Sequence, residues 1–225
     1  MKILCSNGVK SVMLEILPAC ERKSGTKLDM VWGSTMGLAK DIAAGTTGDL
    51  AVLTAQVIDD LIREGKTVAG SRVDLARSGI GVAVRKGAAK PDIASPEALK
   101  RALLAARSLA HSRTGQSGIY FPTVLAKLGI SDAMKSKLVV PEGGPAIGEL
   151  VARGEAEIGI QQISELLPVG GIEIVGPLPE PLQKITVFSA GVLATAQDPR
   201  RAADLLAFIA EASRPLLQGK GLEPP

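Results

Sequence analysis

The sequence predicts an α/β protein of two lobes, each a mostly parallel sheet flanked by helices. Three observations carry that prediction. Short apolar, strand-like runs alternate with helix-like segments along the chain. Aromatic residues make up only 2% of the 225 positions, so the core must be built from Ala, Val, Ile and Leu. The first three strand-then-helix units follow one another directly, which implies right-handed crossovers and parallel strands. A core of small aliphatics suits helices layered on a parallel sheet better than an aromatic-rich sandwich.

Element by element, "MKILCS" is a short apolar strand. "VKSVMLEILPACERKSG" carries apolar residues at helical spacing and stops at Gly25, and "KLDMVWGS" is a strand again. "MGLAKDIAAG" reads as a helix, "DLAVLT" as a buried strand, and "AQVIDDLIREGK" as an amphipathic helix ending at Gly65. "SGIGVAVRKG" is β-prone. In "AKPDIASPEALKRALLAA", Ser95 is placed as an N-cap with Pro96 at the first helical position. A second series follows: strand "SLAHS", helix "GIYFPTVLAKLG", strand "KLVVPE", helix "AIGELVARG", strand "AEIGIQQ" and helix-like "ISELL". "KITVFSAGVLATA" reads as a long strand and "PRRAADLLAFIAEASRPLLQGKG" as the closing helix. The lobes are expected at 1–82 plus 186–225 and at 83–185, with a ligand cleft between them. The chain would cross in the β-prone stretches 79–86 and 185–194.

Composition limits the partners. The net charge of +3 comes from 26 basic and 23 acidic residues spread along the chain, a mild bias toward anions rather than the clustered basic stripe of a nucleic-acid binder. Cys5 and Cys20 form no C-x-x-C pair and no metal-ligand cluster, and are expected to be buried spacers; neither a metal nor a cofactor is expected. No apolar run is long enough for a membrane-spanning helix, so no membrane insertion is expected. "MKILCSNG" enters a strand at once, which predicts a periplasmic protein if a leader has been removed and a cytoplasmic one otherwise. A monomer is expected.

In open α/β sheets ligands bind beyond the carboxyl ends of the strands. Those ends read "SNG" at 6–8, "GST" at 33–35, "LTA" at 53–55, "SRTGQSG" at 112–118, "EGGP" at 142–145 and "IQQ" at 160–162. Any one Ser or Thr before a helix is an ordinary cap. Their joint placement at strand ends in both lobes is the recipe for holding an anion with hydroxyls and helix N–H groups. Residues 112–118 form a candidate anion cradle, its glycines letting backbone approach a ligand closely.

The stretch "SNGVKSVMLEILPACERKSGTKLDMVWGSTMGLAKDIAAGTTGDLAVLT" resembles the first lobe of class II periplasmic solute-binding proteins of the molybdate-binding type. "SGIGVAVRKG", "HSRTGQSGIYFPTVLAKLG", "LVARGEAEIGIQQISEL" and "ITVFSAGVLA" follow that family in order, so the resemblance covers nearly the whole chain. It implies the two-lobed periplasmic-binding-protein type II fold, an anion held in an inter-lobe cleft and an ABC permease as partner. It carries Ser6 and Ser34 over as hydroxyl contacts, with Asn7 and Thr35 beside them and Thr54 at the third strand end. The second lobe offers Arg113, Thr114, Ser117, Gly118, Gln161 and Gln162. Gln161 and Gln162 stand where those proteins usually carry a Val-Tyr pair. Arg113 adds a guanidinium matched to a planar carboxylate, so an organic acid joins molybdate, tungstate and sulfate as a candidate ligand.

"DLARSGIGVAVRKGAAKPDIASPEALKRALLAA" and "EIGIQQISELLPVGGIEIVGPLPEPLQ" are similar to a branch of the same fold that includes bacterial aconitate isomerase. That resemblance implies an alternative, cofactor-free allylic proton transfer on a polycarboxylate, with His111, Glu142 and Glu165 as candidate bases and Arg113 or Arg77 as carboxylate clamps. Alternation in "SLAHSRTG" would put His111 and Arg113 on one side if the strand reached that far. Each candidate also has a plain reading: His111 as the cap of a buried strand, Glu165 as a first-turn helix acid.

Overall fold

In the computed structural model, which describes residues 1–142 and 146–225, the chain divides into two compact units, Met1–Ser78 with Thr186–Pro225, and Gly79–Ile185. The first unit begins β1 (Lys2–Ser6), α1 (Lys10–Ser24), β2 (Asp29–Gly33), α2 (Thr35–Ala43), β3 (Leu50–Thr54), α3 (Ala55–Arg63) and β4 (Val73–Ser78). The second holds β5 (Ile80–Arg85), α4 (Pro96–Ala105), β6 (Leu109–His111), α5 (Gln116–Lys127), α6 (Ser131–Met134), β7 (Leu138–Val139), α7 (Ile147–Ala152), β8 (Ile158–Gln162), α8 (Ile163–Leu166) and β9 (Ile172–Pro177). The chain then re-enters the first unit as β10 (Thr186–Val192) and α9 (Pro199–Ser213).

Local chemistry sets these limits. Gly25 ends α1 in the left-handed region at φ 63°, as a glycine after a helix does without strain. The Ser95 side chain accepts from the Ala98 amide and Pro96 opens α4, while Asp198 caps α9 through the Arg201 amide.

The first unit's sheet runs β2-β1-β3-β10-β4 and the second's β7-β6-β8-β5-β9. Both are mixed: β1 pairs parallel with β2 and β3, β6 with β7 and β8, and the remaining pairings are antiparallel. The antiparallel halves include two edge strands, β4 and β9, that hydrophobic periodicity alone did not single out. Asp74 and Arg77 interrupt the apolar run of β4, and Glu173 that of β9. Edge position tolerates these charges because one side of the strand meets solvent. Asp74 takes an ion pair from Arg72 and a hydrogen bond from the Ser189 hydroxyl, and Glu173 pairs with Lys90. The long strand expected through residue 196 is shorter, ending at Val192.

Each sheet is buried on both faces. In the first unit Ile3, Cys5, Val52 and Phe188 pack under α1 and α9, and Leu4, Ala51 and Leu53 under α2 and α3. In the second, Val82, Leu109 and Ile160 meet Phe121 of α5, and Ala110 meets Ile147 and Val151 of α7. Cys5 and Cys20 are free and buried. Burial pushes the Cys5 thiol far above its ordinary range and the Cys20 thiol up to about 11.

Candidate functional site

In the first unit the chemistry collects at the carboxyl ends of the three parallel strands. Because β1 lies between β2 and β3, with Ser6 opposite Gly33 and Cys5 opposite Val52, Ser6, Ser34 and Thr54 come to adjacent strand ends. All three occupy N-cap positions, of a short 3-10 turn (Asn7–Val9), of α2 and of α3. Ser6 is buried, and its Oγ accepts from the Gly8 amide at 3.3 Å and from the Thr35 hydroxyl at 3.2 Å. With both lone pairs engaged, the Ser6 proton is what it has left to offer. Ser34 Oγ accepts from the Gly37 amide at 3.1 Å, which leaves its proton likewise free to donate. Thr54 is buried, caps nothing, and its Oγ1 has no hydrogen-bond partner among the described residues. Thr35 supports Ser6, and Asn7 is exposed. Gly8 lets the turn rest on an aromatic floor: a Cβ there would come within 2.1 Å of the Phe188 ring. The row is neutral, and a nearby cation, Lys10, lies 5.5 Å from the centroid of the Trp32 ring.

In the second unit β6 ends at His111, so strand alternation does not extend to Arg113. His111 is buried, its Nδ1 lies 3.0 Å from the Ser112 carbonyl, and its ring centroid is 5.5 Å from that of Phe121. Burial lowers its pKa, and the carbonyl only partly opposes this, so the imidazole is neutral at pH 7. Arg113 instead turns to solvent: it is 56% exposed and 3.2 Å from Glu142, itself 84% exposed. The structure thus places the expected clamp and one candidate base together as a surface ion pair, apart from buried His111. The rest of the "EGGP" stretch, residues 143–145, lies outside the described residues.

The glycines of 112–118 have a packing reason within their own loop. A Cβ on Gly118 would sit 1.7 Å from the Ser112 carbonyl oxygen, and one on Gly115 would sit 2.5 Å from Ser112 Oγ, which accepts from the Gly115 amide. They make room for Ser112 of their own loop. Among the described residues no side chain caps α5 at Gly115; Ser117 is buried near that end and Thr114 is exposed.

At the end of β8, Gln161 and Gln162 are both buried, and adjacent strand residues face opposite sides of the sheet. Gln161 Nε2 donates to Glu165 Oε2 at 2.6 Å, while Gln161 Oε1 is buried without a partner among the described residues. Burial pushes the Glu165 carboxyl up to about 7, and the Gln161 bond only moderates this. Glu165 stands in the first turn of α8, as the plain reading has it, and is half-buried. The buried Ser164 hydroxyl beside it, also unpartnered among the described residues, escaped sequence reading; its one signal was its place two residues past a strand end.

Among the described residues, no group of three or more His, Cys, Asp or Glu side chains is arranged to hold a metal ion. No helix among them is long and apolar enough to cross a membrane.

Comparison with known proteins agrees with this architecture. The family described as bacterial extracellular solute-binding protein matches residues 1–223. An aconitate isomerase from a Pseudomonas species is 35% identical, the match covering all of this chain and 87% of that protein. The molybdate-binding protein ModA of Azotobacter vinelandii is 31% identical over 78% of this chain and 71% of its own length. The solved periplasmic molybdate-binding protein of Azotobacter vinelandii superposes with a TM-score of 0.81 at 17% identity, covering 100% of this chain and 99% of that one. The chain belongs to the bacterial extracellular solute-binding protein family.

Proposed function

From that membership we propose that this chain captures a small oxyanion or carboxylate at the hydroxyl row of Ser6, Ser34 and Thr54, and serves as the periplasmic receptor of an ABC permease. The observation that carries the reading is Ser6. Its oxygen already accepts twice from within the fold, so its remaining hydrogen bond is a donation, and a row of neutral donors at helix starts suits an anion. Asn7 and Thr35 complete this set. Arg113, Thr114, Ser117, Gly118, Gln161 and Gln162 form a second proposed contact set, in which Arg113 exchanges Glu142 for a ligand carboxylate.

Titration calorimetry with molybdate, tungstate, sulfate and trans-aconitate tests this. Ser6→Ala and Ser34→Ala should each weaken binding by about 1–3 kcal/mol, the cost of leaving a bound anion short of a donor. Unchanged affinity in both variants would remove the site.

One observation favours a second reading, a cofactor-free isomerase acting on a polycarboxylate. Glu165, with a pKa near 7, is suited to take a proton from a carbon beside a carboxylate and return it at the other end of the allyl system. The Pseudomonas relative named aconitate isomerase points the same way. A proton NMR time course with trans-aconitate decides it: a growing cis vinyl signal that is lost in Glu165→Gln supports the enzyme, and an unchanged spectrum leaves the binding protein.

A further inference from the structure

We propose that Gln161 and Glu165 form a proton-coupled specificity pair, in which the charge on Glu165 decides whether Gln161 offers a ligand an acceptor oxygen or a donor amide. The proposal rests on the anion-binding reading above and adds to it a rule for which anions are taken at which pH.

An ionised carboxylate only accepts, so the amide beside it must turn its NH2 inward. That is the arrangement present, with Nε2 donating to Glu165 Oε2 at 2.6 Å. The other end of the amide is then an oxygen, buried without a partner among the described residues. A buried acceptor in that condition is destabilising until something donates to it. A protonated Glu165 gains a donor that the carboxylate lacks: when its O–H bonds the amide oxygen, the amide has turned over within the same heavy-atom outline and presents NH2 instead.

The surroundings isolate this exchange. Gln161 stands opposite Gly81 in the β5–β8 pairing, and a Cβ on Gly81 would fall 2.8 Å from Ile163 Cγ1, so the seat beneath the pair is closed by packing. The elements packed against α8 are β5, β8, β9 and α7. Their charged residues are Arg85, at the far end of β5; Glu173, held by Lys90 and the Gly87 amide; and Glu149, exposed on α7. β8 carries none. Burial, opposed only by the Gln161 bond, raises the Glu165 pKa to about 7.

Two ligand classes are separated. With Glu165 ionised, the bare amide oxygen repels a fully deprotonated oxyanion and favours a ligand bearing a hydroxyl, such as a hydroxy acid. With Glu165 protonated, the outward NH2 favours the deprotonated oxyanion.

The test is calorimetric binding of sulfate and of malate at pH about 6 and about 8, in the wild type and in Glu165→Gln. Sulfate should bind roughly tenfold tighter at the lower pH in the wild type, and the preference for malate over sulfate should rise with pH. Glu165→Gln, permanently neutral, should hold the low-pH sulfate affinity at both pH values, with His111 left intact as a control for its own titration. If Glu165→Gln does not fold, Gln161→Leu serves, with the pH dependence expected to vanish. A wild type and a variant with the same pH dependence would overturn the pair while leaving anion binding in place. Binding of neither ligand by the wild type at either pH would overturn the pair, while the molybdate, tungstate and trans-aconitate titrations decide the binding reading itself.

Discussion

The two units use one strand grammar and opposite chemistry. Each sheet places a parallel trio beside an antiparallel pair, in the orders β2-β1-β3-β10-β4 and β7-β6-β8-β5-β9. In the first unit the ends of the parallel trio carry Ser6, Ser34 and Thr54, which are uncharged and do not titrate near neutrality. In the second the corresponding ends carry His111 and the Gln161–Glu165 pair, and both His111 and Glu165 have protonation states shifted by burial. Strand order fixes where a site can be; the residue just past each strand decides whether that site is indifferent to pH.

The largest effects are expected at two glycines, one in each unit. Gly118→Ala drives a Cβ into the Ser112 backbone and should cost about 3 kcal/mol or more, read as a shift in the denaturant midpoint. Gly8→Ala meets the Phe188 ring, a side chain, and should cost less. The double variant with Phe188→Leu should recover part of that loss, whereas no single side-chain change should rescue Gly118→Ala.

The next largest effect sharpens the contrast in pH response. Glu165 titrates at the ordinary 4.5 when unfolded and at about 7 when folded. Between those values the unfolded chain has lost its proton and the folded chain has kept it, so stability falls as pH rises and levels off above about 7. The loss is up to about 3 kcal/mol, and Glu165→Gln should abolish it in a pH series of thermal melts. His111 has the opposite sign: its lowered pKa removes stability as pH falls below its ordinary 6.5. No comparable slope should come from Ser6, Ser34 or Thr54.

Smaller effects follow. Thr54→Val removes a buried hydroxyl that the fold leaves unpaired, so stability should change by no more than about 1 kcal/mol while anion affinity drops. Glu142→Gln breaks an exposed ion pair with Arg113 and should change stability by less than about 1 kcal/mol. A larger loss there would mean that the Arg113 loop depends on Glu142 for its shape.

Much of the first unit was legible because its signals are local. The apolar runs of β1, β2 and β3, the stop at Gly25 and the hydroxyl after each strand are all set within a few residues of sequence. The Ser95–Pro96 start of α4 is of the same kind. What escaped is long-range. β4 and β9 are held as strands by β10 and β5, which their own charged residues do not announce. The reason for Gly118 lies six residues away in Ser112, and the solvent-facing pose of Arg113 depends on a strand ending two residues earlier than the alternation required. Ser164 offered only its place two residues past a strand end, since an unpaired hydroxyl is defined by what surrounds it.

The two buried cysteines have a practical consequence. Only a thiolate reacts with maleimides, and burial keeps both native thiols protonated and covered. The chain is therefore chemically silent toward thiol-directed dyes. Met36→Cys, at an exposed position in the first turn of α2 close to the hydroxyl row, would provide a single labelling point for a fluorophore, turning the protein into its own optical reporter of ligand capture.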